Sequence, residues 1–349
     1  MVAASSLLPL AIVVVIAARG IGGTSVPGAE TDGACHESGA ACSPHRPLPQ
    51  EHLLLQMSSN RGSAEVQRHD MSAADDTPII GFPNSGDMQA SGLWCSVPAP
   101  PDQWNLKTCP FSRWAFAKTR VKVLTYNLFW WNLFGRRGGD GRSAGKLIAQ
   151  TAGSEGYDLM GFQECDDRWR ILGDAKAEGL QGDWEALDGG HALGLMYRKD
   201  RFQLLESGAE DVGEDSSVQW YGKRSAVWVR LRHVDGTTVF FINHHGPLPV
   251  SASGGCTGSA TAHNIMRVIA THAHAGDAII LTGDFNAEPS SSRIQELSKR
   301  LYKIYSGTSM GGVDHIFSNC GNWESGAQGN NLGMGGSDHD ALSVTFNFR

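Results

Sequence analysis

Beyond Lys118 the chain alternates short β-rich apolar runs with stretches of helical period, and that alternation restricts its fold more than any other feature. Residues 121–126, 158–163 and 278–282 read as strands, the last apolar enough to be buried on both faces. Residues 143–151 read as a helix capped by Ser143, and 290–301 as a second amphipathic helix. Ala262, Ile265, Met266, Ile269 and Ala273 recur at helical spacing, with Arg267 and His274 off that face. Asp235-Gly236 separates VWVRLRHV from TTVFFIN, and a type I′ pair between two β-rich runs predicts a hairpin over 227–243. Residues 313–318 and 342–348 close the chain as strands. Mixed strands with helices outside them imply an α/β architecture of sheets packed face to face under helices.

The text before Lys118 is of another kind. An apolar run over 7–18 is shorter than the ~20 residues that cross a bilayer and suits the core of a secretion signal. A signal peptide is therefore expected over 1–20, with an uncleaved anchor as the alternative. Residues 21–92, rich in Gly, Ser, Ala, Pro and Asp and without apolar period, read as a flexible leader or propeptide. Residues 93–117 gather Trp94, Trp104, Trp114, Cys95 and Cys109 into a small stapled extension, which leaves 118–349 as the folded unit proper. Seven cysteines fit an oxidising compartment if some of them pair. The local pairs Cys35–Cys42 and Cys95–Cys109 are the easiest to close, Cys256 with Cys320 is a further option, and one thiol is left over. No Asn-x-Ser/Thr acceptor occurs, so N-glycosylation is not expected.

Twenty-nine Lys and Arg against 36 Asp and Glu give a net charge of −7, which argues against coating nucleic acid by charge alone. Any polyanion must then be gripped locally, with a metal's help. The ends of the apolar runs supply groups for such a grip. TYN ends in Asn127, the run DLMGFQE ends in Glu164, and FFINHHG carries His244 and His245. AIILTGDFN ends in Asp284 and Asn286, GGVDHIF carries Asp314, and SDHDAL carries Asp338 and His339. Titratable and amide side chains at the tips of several elements are what a shared cleft requires. Other motifs carry less. GGDGRSAGKL lacks the first Gly and the Ser/Thr of a phosphate-cradling loop, and His244, His245 and Cys256 lack the remaining ligands of a zinc site. Cys165 has no His partner and reads as a packed or surface thiol, and His272 and His274, two apart on a helix end, read as solvated.

The ordered set TYN, QE, N-H-H, GDFN, VDHIF and SDH resembles the endonuclease/exonuclease/phosphatase family, which includes pancreatic-type deoxyribonucleases, neutral sphingomyelinases and inositol polyphosphate 5-phosphatases. The resemblance runs over 118–349 and implies a four-layer α/β sandwich, two mixed central sheets covered by helices, with the site at one edge. It implies a divalent cation, Mg²⁺ or Mn²⁺, with Glu164 as direct ligand and Asn127 and Asp338 close by. It implies Asp284 as the group that deprotonates or orients the attacking water, Asn286 as its support, and His245 and His339 as donors to the phosphoryl oxygens. Asp314 would accept from His339 and fix its tautomer. The hard cation and the donors are needed because a phosphodiester repels a nucleophile and its alkoxide leaves poorly. His244 is expected to have no direct role, since the family's strand-Asn-x-His pattern selects His245.

The substrate is less constrained. Phe129, Trp130, Trp131 and Phe134, followed by Arg136, Arg137 and Arg142, can stack on bases while pairing with phosphates. Lys223 and Arg224 can supply one more phosphate contact, and Asn127 another polar one. A secreted nuclease is the favoured reading. The alternatives are a sphingomyelinase-like lipid phosphodiesterase, an inositol or nucleotide phosphatase, and a non-catalytic binding module on the same fold. Trp130 and Trp131 could also simply pack beneath their loop.

Overall fold

Strands whose both faces are apolar must be covered on both faces, and the chain meets that demand with two sheets between helices. The computed structural model describes residues 95, 97–109, 119–130, 143–252, 254–256 and 258–348. The expected signal (1–20) and leader (21–92), Trp94, Trp114, Cys35 and Cys42, and the loop residues Trp131, Arg136 and Arg137 lie outside them.

The first sheet holds β1 (Thr119–Asn127), β2 (Leu159–Gln163), β3 (Trp184–Asp188), β4 (Gly194–Arg198), β11 (Gln328–Asn331) and β12 (Leu342–Phe348) in the order β11-β12-β1-β2-β4-β3. The second holds β5 (Phe202–Glu214), β6 (Lys223–His233), β7 (Thr238–His245), β8 (Ala278–Asp284), β9 (Tyr302–Ser306) and β10 (Asp314–Ser318) in the order β5-β6-β7-β8-β10-β9. Helices α1 (Ser143–Ala152) and α2 (Arg168–Ala177) cover the first sheet, and α3 (Ala260–His272) and α4 (Ser292–Arg300) cover the second. A short α5 (Asn322–Ser325) precedes β11.

Alternation along single strands builds the layers. Val121 and Val123 of β1 face Val239, Phe241 and Ile280 between the sheets, while Leu124 and Tyr126 face Ile148 and Ile171 of the first helix layer. Phe240, Ile242, Ile279 and Leu281 turn the other way, onto Ile265, Met266 and Ile269 of α3. The chain thus adopts the expected four-layer sandwich. The hairpin expected at Asp235-Gly236 joins β6 and β7, which pair antiparallel from Ala226↔His244 to Arg232↔Thr238.

Elements absent from the sequence reading lie mainly in 166–222. Strand β5, FQLLESGAEDVGE, is too polar to announce itself and is held by pairing with β6 along almost its whole length. Its Gly208 is required because a Cβ there would come within 2.8 Å of the Trp228 ring. Helix α2, RWRILGDAKA, has little apolar period and is started by Asp167, whose carboxylate accepts from the Trp169 and Arg170 N–H groups.

The extension is stapled differently from the expectation. Cys95 pairs with Cys256 and Cys109 with Cys320, rather than Cys95 with Cys109, and buried Cys165 is the free thiol among the described residues. Packing decides this, because the segment 97–109 lies along the domain instead of folding on itself. Trp104 and Leu106 enter the core between α3, α4 and the second sheet. The Arg300 guanidinium donates to the Pro100, Pro101, Asp102 and Trp104 carbonyls, and Asn319 Nδ2 donates to Thr108 O at 3.0 Å. Two disulfides fit an oxidising environment. No helix among the described residues is long and apolar enough to cross a membrane.

Cys109–Cys320 closes a loop with a sequence separation of 211, so its loss frees much denatured-state entropy. A Cys109→Ser/Cys320→Ser variant is expected to lose about 2–5 kcal/mol of stability. Urea unfolding of the purified chain checks this, and an unchanged midpoint would show that the contacts of Trp104 and Arg300 hold the segment without the bond.

Candidate active site

Each sheet contains one parallel pair, and the carboxyl ends of those two pairs meet. In the first sheet Asn127 is the register partner of Gln163, the last residue of β2, with Glu164 next in the chain. In the second, His245 is the partner of Asp284. Strand β10 runs antiparallel to β8 and sets Asp314 opposite Asp284. The sheets approach closely here because Gly161 has no side chain; a Cβ would lie 2.7 Å from Asn243 Oδ1. Across that gap Gln163 Nε2 donates to Asn243 Oδ1 at 2.6 Å, and Asn243 Nδ2 to the Phe162 and Gly194 carbonyls at 3.0 and 3.2 Å. A buried amide network therefore locks the two strand tips together.

Asp284 is the focus. Its Oδ1 accepts the Asn286 N–H at 2.7 Å, and Asn286 Nδ2 donates to Gly246 O at 2.9 Å, so Asn286 ties the turn after β8 to the end of β7. Asn286 holds a left-handed φ of 45°, and Glu164 one of 52°, a strained backbone at two tips of the same cleft. Asp284 Oδ2 accepts from Asn127 Nδ2 at 2.9 Å and has His245 Nε2 at 3.5 Å and His339 Nε2 at 3.7 Å. Burial alone would raise the Asp284 pKa, but the two histidines, the Asn286 N–H and the Asn127 amide outweigh it and hold the carboxyl below its usual range.

The two imidazoles differ in charge. His339 Nδ1 lies 3.0 Å from Asp314 Oδ2. Burial opposes a charge on His339, yet Asp284, Asp314 and Asp338 prevail and push its pKa up to about 10. Burial and the charge of Asp284 push Asp314 upward while His339 pulls it down. His245 is neutral, since burial first and Arg224 second bring its pKa down to about 3.

The SDH segment is stitched over the end of β1. Ser337 Oγ donates to Asn127 O at 2.7 Å and accepts the His339 N–H at 3.1 Å. Asp340 accepts from the Thr308 and Ser309 N–H groups, both at 3.0 Å. Asp338 Oδ1 lies 4.0 Å from His339 Nε2.

Glu164 stands apart in its needs. Its Oε2 is buried without a hydrogen-bond partner, and burial together with nearby Asp284 pushes its pKa up to about 7. An enclosed carboxylate beside like charges, with one oxygen unanswered, fits a hard cation that prefers oxygen ligands. Asp284, Asp314 and His339 also bring ligand atoms within 4.8 Å of one another. Their atoms, however, already answer one another as donors and acceptors, so Glu164 is where added positive charge is called for.

Some expectations meet a different geometry. Arg224, expected to touch a phosphate, is 8% exposed and forks onto Asp215 with Nε and Nη2 at 2.8 and 3.0 Å. Trp130, which could have packed beneath its loop, is 43% exposed. His272 is not solvated, because it stacks on Trp228 at 4.2 Å and meets Glu210 at 2.6 Å. His244 is buried with Nδ1 at 2.9 Å from Ser225 O. The sequence reading missed Asp215, Gln163, Ser337 and Asp340. Of these only Gln163 and Ser337 carried a signal, as members of QE and SDH.

A model of the endonuclease/exonuclease/phosphatase family matches residues 129–339. The chain is similar to the solved structure of an endonuclease/exonuclease/phosphatase family protein from Bacteroides thetaiotaomicron, at 20% identity and a TM-score of 0.53, covering 67% of this chain and 100% of that one. It is similar to a functionally unknown conserved protein from Enterococcus faecalis at 18% identity and a TM-score of 0.50, covering 64% of this chain and 98% of that one. A mannosyl-6-phosphatase from Bacteroides thetaiotaomicron aligns at 20% identity and a TM-score of 0.48, over 64% of this chain and 98% of that one. No curated protein sequence matches the chain. The structural likenesses are likenesses of fold.

Proposed function

Because this chain belongs to the endonuclease/exonuclease/phosphatase family, and so to the phosphoric ester hydrolases, we propose that it is a secreted, divalent-metal-dependent nuclease that cleaves phosphodiesters by in-line attack of water. The observation that carries the reading is the convergence of Asn127, His245 and His339 on one oxygen of Asp284, with Glu164 beside them.

The residue roles follow from that geometry. Asp284, held ionised by its donors, takes the proton of the attacking water. Asn286 fixes its carboxylate through the N–H at 2.7 Å. His339, charged and oriented by Asp314, and His245, neutral, turn their Nε2 atoms toward the place where phosphoryl charge grows. Glu164 would hold the cation, Mg²⁺ or Mn²⁺, with Asn127 and Asp338 close by. When bound, the cation neutralises phosphoryl oxygens and eases departure of the alkoxide.

Nucleic acid is favoured by the aromatic side chains left in solvent. Trp130 follows Asn127 by three residues, and Trp220 and Tyr221, 55% and 73% exposed, sit on the loop between Asp215 and Arg224. Bases stack on such rings whatever their sequence. Trp131, Arg136, Arg137 and Lys223 would add to the same grip. Secretion rests on the apolar run over 7–18 and on the two disulfides.

The full chain, assayed side by side with Mg²⁺ on single-stranded DNA, duplex DNA, RNA, sphingomyelin and an inositol polyphosphate, is expected to turn over a nucleic acid at least ~10-fold faster than the others. Losing one stacked base in a Trp130→Ala variant should weaken single-strand binding by about 1–3 kcal/mol. Turnover of sphingomyelin or the inositol phosphate alone would overturn the nuclease reading and leave the hydrolase intact.

A further inference from the structure

We propose that Asp215 and Arg224 form a positioning pair that presents His245 to the phosphoryl group as a neutral donor through its Nε2–H, an inference that rests on the role given to His245 above. The chemistry of the contact allows one tautomer. A guanidinium has donors only, so Arg224 Nη1, 3.2 Å from His245 Nδ1, must donate to it. The imidazole proton is thereby placed on Nε2, the atom that faces Asp284 Oδ2 at 3.5 Å.

Arg224 is itself held in place. Its fork onto Asp215 is bidentate, and Asp215 also accepts the Leu248 N–H at 2.8 Å and the Tyr221 N–H at 2.9 Å. One buried carboxylate thus joins β6, the loop after β7 and the aromatic loop before β6. For Arg224 to swing toward a substrate it would have to leave Asp215 buried without its partner, a costly state. Its place beside His245 is therefore the resting one.

The pairing gives the site two unlike donors. His339 is oriented by a carboxylate, which favours a cation, and His245 by a guanidinium, which does not. Two cationic imidazoles flanking Asp284 would repel each other and would hold that carboxylate in an ion pair. A neutral Nε2–H on one side supplies a hydrogen bond to the phosphoryl oxygen and leaves Asp284 able to accept a proton.

The test uses the full chain labelled with ¹⁵N in its histidine rings, with the His245 signals assigned by their loss in His245→Gln. The expected wild-type spectrum has a bare Nδ1 and a protonated Nε2 at His245. In Asp215→Asn/Arg224→Met, which removes both buried charges and keeps an acceptor for one of the two backbone N–H groups, the tautomers should mix. In that variant kcat should fall on the order of 10–100-fold with KM within about twofold. In a His245→Gln background the same pair of changes should cost nothing more. A wild-type His245 protonated on Nδ1 overturns the proposal, and so does an equal loss in the His245→Gln background, which would mean that Arg224 meets substrate itself. A wild-type rate in His245→Gln alone overturns the role assigned to His245, and the spectrum keeps that failure distinct.

Discussion

Asp284→Asn or His339→Ala is expected to lower turnover of bis-p-nitrophenyl phosphate by at least ~100-fold with the fold intact, the scale of a lost general base or a lost donor to a growing charge. Asparagine keeps the shape of Asp284, so the Asn286 N–H at 2.7 Å retains its acceptor, but the amide cannot take a proton from water. His339→Ala removes the donor at 3.7 Å from Asp284 and strands Asp314, a buried carboxylate whose contact at 3.0 Å it supplied. His339→Ala is therefore also expected to lose stability, and a His339→Gln variant separates that effect from the chemistry. Circular dichroism and kcat on each variant check the pair of statements. Either variant turning over near the wild-type rate with metal present would remove that residue from the reaction.

Chelation with EDTA is expected to abolish turnover, and Mg²⁺ or Mn²⁺ to restore it, by a factor of at least ~100. The reason lies in Glu164, whose buried Oε2 has no hydrogen-bond partner and whose pKa rises to about 7 because burial and Asp284 both disfavour its charge. The Asn127 amide and the His339 charge offset this only in part, since the pKa still rises. Glu164→Gln should abolish Mg²⁺ binding measured by calorimetry on the full chain as well as lowering kcat. Full activity in EDTA, or undiminished Mg²⁺ affinity in Glu164→Gln, would refute this placement of the metal.

How much of this was legible beforehand depended on the range of the interactions concerned. β1, β2, the β6–β7 hairpin, α3, β8 and β12 announce themselves through local period and turn chemistry, and so do Asn127, Glu164, His245, Asp284, Asp314 and His339 as the residues that end or flank apolar runs. β5 could not be read, since its Glu206, Glu210 and Asp211 deny it a strand's apolar signature and only its pairing with β6 makes it one. Asp215 was invisible for a related reason. It follows that unread strand, and its importance lies in a guanidinium, two backbone N–H groups and an imidazole that no local pattern connects.

The cysteines and arginines divide along the same line. Cys109 had a near neighbour in sequence but joins Cys320 at a separation of 211, because Trp104 and Leu106 draw the extension onto the domain. Arg224 read as a phosphate contact by composition, yet packing turned it inward. Sequence alone determined that Asn127, Glu164, His245 and Asp284 end or flank apolar strands, because the identity of those strands is written in neighbours two to four residues away. Tertiary structure alone decided which of those side chains are charged, which nitrogen carries a proton and which cysteines meet. Each of those outcomes is a balance between desolvation and a partner, and both are set only when distant segments close over them.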